Sequence, residues 1–448
     1  MNDILQAIKE AGGTGLLVGG SVRDMLLGIE PKDRDCETYG LEVNALLDIL
    51  KRFGRVDIVG MSFGVIKLYA NDGHDYDFSL PRRESKEGRG HKGFMVSTDP
   101  NMHPRDAAAR RDFTINSMAY DPLTDTLYDF YRGAEDLHNG NLIATSEHFS
   151  EDPLRVLRGM QFCGRFNLGA NYRTIRMCQD LFAEYPTLAK ERIWEEWKKW
   201  ALKSTVPSRG LQFLAQTGWI AWYPELFNLQ GVEQDPLWHP EGDVWEHTLH
   251  TVDKMIYRCE QRNIFGTERL VRVFAALCHD MGKPFTTGKG EDGRIRSLGH
   301  EKAGVEPTRS FLESIGCPEA IIQQVIPLVV EHMNYKGAMA SKKALRKLAH
   351  RLYPATIRQL TSVVWADHAG RPPLPVDKED ILAELLQRAE ADGCADDVPE
   401  VVKGRHLLAI GWTPGVHMGK GLQNCYNAWL NGRFDTAEDG VRFAGKVQ

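Results

Sequence analysis

Residues 16–35 read LLVGGSVRDMLLGIEPKDRD, and the chemistry of this stretch lies in a glycine pair, an arginine and two aspartates. Side chains alternate along extended backbone, so Asp33 and Asp35 point to one face and would grip a divalent cation together. Just upstream, Gly19 and Gly20 let backbone N–H groups approach a phosphate closely, with Arg23 beside them. Triphosphate and metal would then meet on one short piece of chain, as nucleotidyl transfer requires. A third carboxylate, Asp77 in DYDFSL, would complete the oxygen-rich shell that Mg²⁺ prefers. Two ions held this way would activate a ribose hydroxyl and stabilise the leaving pyrophosphate in an in-line displacement. By itself an aspartate pair on a strand is more often a solvated edge, so its weight comes from the company it keeps along the chain.

RRDFTIN adds Arg110, Arg111, Asp112 and Asn116. Arginine forks suit bidentate binding of phosphate, while Asp112 and Asn116 would hold an arginine or contact the sugar. In EDPLRVLR, Asp152 and Arg155 are spaced as neighbours on one helical face, with Arg158 joining the nucleotide-binding set. A carboxylate acceptor beside a guanidinium donor reads the Watson–Crick edge of a free base, giving a protein template. The same pair is equally good physics for plain stabilisation of a helix start.

A second constellation lies far downstream. His247, the adjacent His279 and Asp280 in LCHDMGK, and Asp367 in WADHAGR follow the order of an HD-type metal phosphohydrolase. Nitrogen and oxygen ligands of this kind suit Ni²⁺, Mn²⁺, Co²⁺ or Mg²⁺ and leave an open position for water. His300 in GHEKAG and His332 in EHM would extend that site or contact the phosphate.

The elements that must position these residues divide the 448-residue chain into four parts. Residues 1–140 alternate short apolar runs with turn residues, as strands packed with a few helices do. Residues 141–235, 236–371 and 372–448 read as almost wholly helical, the fold class being α+β. In the second part Leu154, Leu157, Met160 and Phe162 share a helical face, and an aromatic-rich stretch runs from Trp194 to Trp222. A formal charge of −6 excludes a globally basic nucleic-acid binder. RNA contact would fall to local patches at Arg155, Arg158 and Arg165 and at Lys198, Lys199 and Lys203, whereas SKKALRK (341–347) reads as a solvated helix face. Eight cysteines without a CxxC pair argue against a zinc ribbon or a disulfide framework and read as small buried apolar residues. No apolar run approaches the roughly 18 residues of a membrane span, and MNDILQAIKE opens an amphipathic helix rather than a signal peptide. A cytoplasmic protein without membrane contact is expected; monomer and homodimer both stay open.

The ordered set LLVGGSVRD, KDRD, RRDFTIN, EDPLRVLRGMQFCGRF and ERIWEEWKK resembles the bacterial class II tRNA nucleotidyltransferases, the CCA-adding enzymes of the polymerase-β superfamily, over residues 16–200. That resemblance implies a polymerase-β-like head followed by an elongated all-α region, and addition of C, C and A to the 3′ end of tRNA from CTP and ATP. It assigns Gly19, Gly20 and Arg23 to the triphosphate, Asp33 and Asp35 to Mg²⁺, and Glu151, Asp152 and Arg155 to nucleotide selection. Arg82 to Phe94 looks like the loop such enzymes use when switching from CTP to ATP. HPEGDVWEHTLHTVD and GWTPGVHMGKGL resemble the HD domain appended to CCA-adding enzymes of proteobacterial type, implying removal of 3′-phosphate or opening of 2′,3′-cyclic phosphate on damaged tRNA ends. Poly(A) polymerase or partial C- or A-adding activity shares every catalytic motif, and a non-catalytic RNA-binding protein is the reading of another class.

Overall fold

Alternating apolar residues in the first third of the chain become strands β1 (Thr14–Val18), β2 (Asp35–Tyr39), β3 (Gly54–Val59), β4 (Val65–Ala70), β5 (Asp75–Ser79), β6 (Arg82–Lys86), β7 (Phe94–Thr98), β8 (Ala119–Asp121) and β9 (Thr126–Tyr128). Seven of them form one sheet in the order β3-β4-β5-β2-β1-β8-β9, and β6 pairs with β7 separately. Within the seven-stranded sheet β2 and β5 run parallel, and their neighbours pair antiparallel. This computed structural model describes residues 1–31, 34–59, 65–86, 94–376 and 378–446.

Period-two alternation sorts the sheet into two chemically different faces. On one, Cys36, Ile66, Leu68, Tyr76 and Phe78 pack against Ile4, Leu5 and Ile8 of helix Asn2–Glu10 and Leu46 and Leu50 of helix Val43–Leu50. The residues between them, Asp35, Glu37, Lys67 and Asp77, therefore project from the opposite face. The apolar layer fixes which way the carboxylates point, because a one-residue slip in register would exchange the two faces.

Backbone contacts group the chain into two units: Met1–Glu196 with Arg209–Trp222, and Trp197–Ser208 with Tyr223–Gln448. The expected 141–235 segment is thus shared between them. Trp219 and Trp222 pack on Tyr185 in the first unit, whereas Trp197 and Trp200 join Tyr223, Phe274 and Phe311 in the second.

In the second unit, helix Gly266–Cys278 is buried on nearly every side and packs against helices Val244–Gln261, Glu319–Glu331 and Ile357–Ala369. The side chain of Asp243 caps the first of these neighbours by accepting from Glu246 N at 2.9 Å, and Thr356 and Gln359 form a capping box on the last. Just beyond the central helix, a Cβ at Gly282 would lie 2.0 Å from the carbonyl oxygen of His300, so only glycine lets these two segments touch.

Beyond Ser150 the described chain is almost entirely helical, as expected, with Thr287–Lys289 and Ile295–Ser297 forming a short antiparallel pair. One expectation is corrected: the helix of the SKKALRK segment is not simply solvated. Arg346 is 1% exposed and holds Asp392 and Asp435, whose sequence distance hid the pairing. All eight cysteines are buried free thiols, as their scatter suggested.

Leu68→Ala should destabilise the sheet by about 2–5 kcal/mol by leaving a cavity in its apolar layer. Amide exchange in β4 and β5 would accelerate accordingly, and unchanged protection there would contradict this packing.

Candidate functional sites

β1 ends where the chain turns at Gly19, which has a φ of 69° and precedes helix Gly20–Leu26. A Cβ at Gly19 would sit 2.8 Å from Arg111 Nη1, so glycine supplies both the left-handed backbone and the room for this guanidinium. Ser21 Oγ accepts from Asp35 N at 3.1 Å, which ties the start of β2 to the first turn of that helix. In the parallel pairing of β2 and β5, Asp35 lies opposite Asp77. The two carboxylates occur on one face, next to the glycine turn. Asp33 lies outside the described residues, as does the 87–93 part of the expected switching loop.

Glu37 follows Asp35 on the same face. It accepts from the Tyr39 hydroxyl at 2.7 Å and lies 3.6 Å from Arg111 Nη2, so it anchors the arginine that reaches the glycines. Lys67 is the β4 register partner of Asp77, with its Nζ 3.7 Å from Asp75 Oδ2. A donor set made of carboxylate oxygens on rigid strands fits a hard divalent cation such as Mg²⁺.

Arg23 is 4% exposed. Its guanidinium donates to Asn116 Oδ1 and, at 2.6 Å, to Asp24 Oδ1, and it lies over the rings of Phe162 and Phe166. Asn116 Nδ2 in turn donates to Asp112 Oδ1 at 3.0 Å, and Arg158 Nε donates to Asp112 Oδ2 at 2.7 Å. Burial alone would raise the Asp112 pKa; Arg158, the Asn116 hydrogen bond and Arg155 more than offset it and bring it to about 2. The four side chains Arg23, Asn116, Asp112 and Arg158 thereby join helix Gly20–Leu26 to helix Leu154–Phe166.

The expected helical pair of Asp152 and Arg155 takes a different form. The helix begins at Leu154, and Asp152 precedes it in extended backbone. Asp152 accepts from Leu154 N at 3.0 Å and from Arg192 Nη2 at 2.7 Å. Arg155 instead donates to the carbonyls of His148 and Arg110, both at 2.6 Å. Proline at 153 delays the helix start, which removes Asp152 from its face. Glu151 accepts from Arg110 Nη2 at 3.0 Å and contacts His148 Nδ1 at 2.7 Å. RRDFTIN and EDPLR are thus one hydrogen-bonded assembly.

The second site lies around the C-terminus of helix Gly266–Cys278. His247 Nε2 is 3.2 Å from Asp367 Oδ1, 3.3 Å from His279 Nε2 and 3.7 Å from Asp280 Oδ2. All four residues expected from the sequence converge. His279 Nδ1 donates to Ala276 O at 2.8 Å, which leaves its Nε2 lone pair facing the cluster. A buried carboxylate missed in the sequence, Glu241, lies 2.8 Å from His247 Nδ1 and 2.9 Å from His239 Nδ1. It orients His247 so that Nε2 points inward.

His300 and His332 form an adjoining cluster. Their Nδ1 atoms donate to Ser297 O and Val329 O, at 2.7 and 2.6 Å, and their Nε2 atoms face each other at 3.2 Å. Two ring nitrogens so close need a proton or a cation between them. Asp280 spans both clusters, because its Oδ1 is 3.4 Å from His300 Nε2. Asp280 Oδ2 is buried 2.7 Å from Lys283 Nζ and 3.1 Å from His279 Nε2. These convergent nitrogen and carboxylate donors fit a transition-metal centre.

Burial opposes charge on His247, but Asp367 and Glu241 raise its pKa to about 9. His332 goes the other way, lowered to about 4 by burial and by His279 and His300. Burial would raise the pKa of Asp280 and Asp367, yet neighbouring cationic and histidine groups hold both well below the usual carboxylate range.

Several of these participants had a signal in the sequence. Glu37 continues the alternation of Asp35, and Lys283 follows Asp280 by one helical turn. Arg192 had none, since its partner Asp152 is brought to it by tertiary folding, and Glu241 sits in the irregular segment before helix Val244–Gln261, where no periodicity marks it.

Residues 16–143 match the Poly A polymerase head domain and residues 244–392 match the HD domain. The chain is 35% identical over 367 residues to the multifunctional CCA protein of Pasteurella multocida, covering 79% of this chain and 83% of that one. It is 32% identical over 398 residues to the multifunctional CCA protein of Vibrio vulnificus, covering 86% and 92%. In fold it is similar to the Bacillus stearothermophilus CCA-adding enzyme crystallised in complex with CTP, with a TM-score of 0.63 at 20% identity over 99% of this chain and 95% of that one. Sequence similarity over most of the chain, with both domain types in order, makes it a member of the multifunctional CCA protein family.

Proposed function

We propose that this chain adds CCA to tRNA 3′ ends from CTP and ATP at the sheet site and repairs phosphorylated or cyclic-phosphate RNA ends at the histidine site. The observation that carries the first activity is the register that sets Asp35 beside Asp77 next to the Gly19 turn. Asp33, Asp35 and Asp77 would hold Mg²⁺, which supplies activation of the attacking hydroxyl and charge neutralisation at the leaving pyrophosphate. The glycine turn and Arg111 bind the triphosphate tail. Arg110, Glu151, Asp152, Arg155 and Arg158 shape the nucleotide-selecting surface, while Arg23, Asp112 and Asn116 hold it against the glycine turn. Selection then follows from the geometry of this assembly rather than from a nucleic-acid template.

At the second site His247, His279, Asp280 and Asp367 would hold one divalent metal, Ni²⁺, Mn²⁺, Co²⁺ or Mg²⁺. The pair His300 and His332, with the other oxygen of Asp280, would hold a second ion. A bound metal supplies an activated water for attack on phosphorus. The protein excludes bulk water and fixes the ligands, with Glu241 setting the orientation of His247. Segment 1–140 acts as the catalytic head, 141–235 as the selecting and tRNA-binding region, 236–371 as the phosphohydrolase and 372–448 as a helical tail.

The two activities should separate by mutation. Asp35→Ala or Asp77→Ala should abolish CTP and ATP incorporation into tRNA lacking its 3′ end, while Asp280→Ala should remove phosphohydrolysis and leave incorporation intact. Sequencing the products made with CTP alone, ATP alone and both distinguishes complete CCA addition from a poly(A) tail or a partial end. Undiminished incorporation by Asp35→Ala would contradict the assignment.

Asp112 gives a pH dependence. Its folded pKa lies below the ordinary value of 3.8, at about 2, so its ionised form contributes stability that is complete above pH ~4 and lost as pH falls through ~2. That contribution amounts to about 2–3 kcal/mol. Asp112→Asn should flatten the acid limb of the unfolding profile between those values, measured by tryptophan fluorescence in urea at stepped pH.

A further inference from the structure

Among the described residues, the histidine cluster includes a lysine ammonium, a cation that is not a metal ligand. Lys283 opens the short helix Lys283–Thr286, one turn beyond Asp280, and its side chain is 9% exposed. Its Nζ lies 2.7 Å from Asp280 Oδ2 and donates to Gln234 Oε1 at 2.7 Å. That carboxylate oxygen is the one 3.1 Å from His279 Nε2 and 3.7 Å from His247 Nε2. The ammonium therefore sits on the oxygen that a metal ion at His247 and His279 would take.

A buried ammonium requires an anion, because desolvation without a partner is costly. Once a divalent cation draws on Asp280 Oδ2, that oxygen neutralises Lys283 less well, and the two cations repel each other. Gln234 is neutral and offers only a dipole. Four methylenes let Nζ turn away from Asp280 while its stem stays packed. The anion that arrives with the metal site loaded is the substrate phosphoryl group.

We propose that Lys283 is a phosphate-binding catalytic residue of the second site, gripping a phosphomonoester or cyclic phosphodiester at an RNA 3′ terminus. This rests on the phosphohydrolase reading above. In the step it serves, a water oxygen bonds to phosphorus, the bond from phosphorus to the ribose oxygen breaks, and one water proton ends on that ribose oxygen. Lys283 forms no covalent bond; it neutralises charge on the phosphoryl oxygens as the displacement proceeds. The alternative, a lysine that merely compensates the charge of Asp280, makes opposite predictions for metal and phosphate.

The test uses the full chain loaded with Mn²⁺, with metal content measured by plasma mass spectrometry and affinity for inorganic phosphate by calorimetry. A parallel arm uses an oligoribonucleotide ending in 2′,3′-cyclic phosphate, to separate monoester from cyclic recognition. Lys283→Met should keep the wild-type metal content yet bind inorganic phosphate about 10- to 100-fold more weakly, the loss expected for one charged hydrogen bond. Lys283→Arg should recover most of that affinity and provides the comparison if the methionine variant folds poorly. Phosphate affinity within twofold of wild type in Lys283→Met, or equal losses in Lys283→Arg and Lys283→Met, would overturn the proposal. A wild-type protein that takes up no metal at this site and leaves the 2′,3′-cyclic phosphate terminus intact would overturn the phosphohydrolase reading itself. Loaded, active wild type with an unaffected Lys283→Met would overturn the role of Lys283 alone.

Discussion

The parallel register of β2 against β5 is the constraint on which the polymerase half depends. Asp35 and Asp77 are forty-two residues apart in sequence, and only this pairing makes them neighbours. Direction and alternation are fixed by the buried side of the same strands, where Cys36, Tyr76 and Phe78 enter one apolar layer. Each charged residue sits next to an apolar one whose burial is favourable by roughly 1.5–3 kcal/mol for a large side chain. Hydrophobic burial thus orients two carboxylates that repel each other when no cation lies between them.

Around this pair, polar groups hold one another before they can meet a ligand. Arg23 illustrates the point: an arginine beside a glycine turn looks like a phosphate hook, but its guanidinium is already engaged by Asp24 and Asn116. Its part is to join the turn, through Asn116 and Asp112, to the helix that carries Arg158. Arg111, held by Glu37, is the guanidinium that lies against Gly19. A similar sharing operates at the histidine site, where Asp280 reaches both histidine pairs and Glu241 reaches both His239 and His247. Shared carboxylates couple these positions, so substitutions among them should be non-additive.

Much of this was legible in the sequence because it depends on local periodicity. Alternation in DYDFSL put Asp77 on a strand, and H…HD…D spacing collected four residues that do converge. What escaped was set by tertiary folding or by small shifts in element boundaries. Pro153 moved the helix start past Asp152 and redirected that carboxylate to Arg192. Arg346 looked like surface charge because Asp392 and Asp435 lie far along the chain. Helix Lys190–Lys203 has one continuous amphipathic pattern, yet Trp197 and Trp200 serve a different unit from its beginning, and periodicity carries no signal for such a division.

The central claim is that a divalent cation binds at Asp35 and Asp77, and affinity cleavage tests it most directly. Fe²⁺ substituted for Mg²⁺ in the presence of CTP, then treated with peroxide and ascorbate, generates hydroxyl radicals that cut the backbone nearest the ion. The account predicts paired cuts at the start of β2 and within β5, suppressed by excess Mg²⁺. Cuts confined to the histidine site, with β2 and β5 intact, would contradict it.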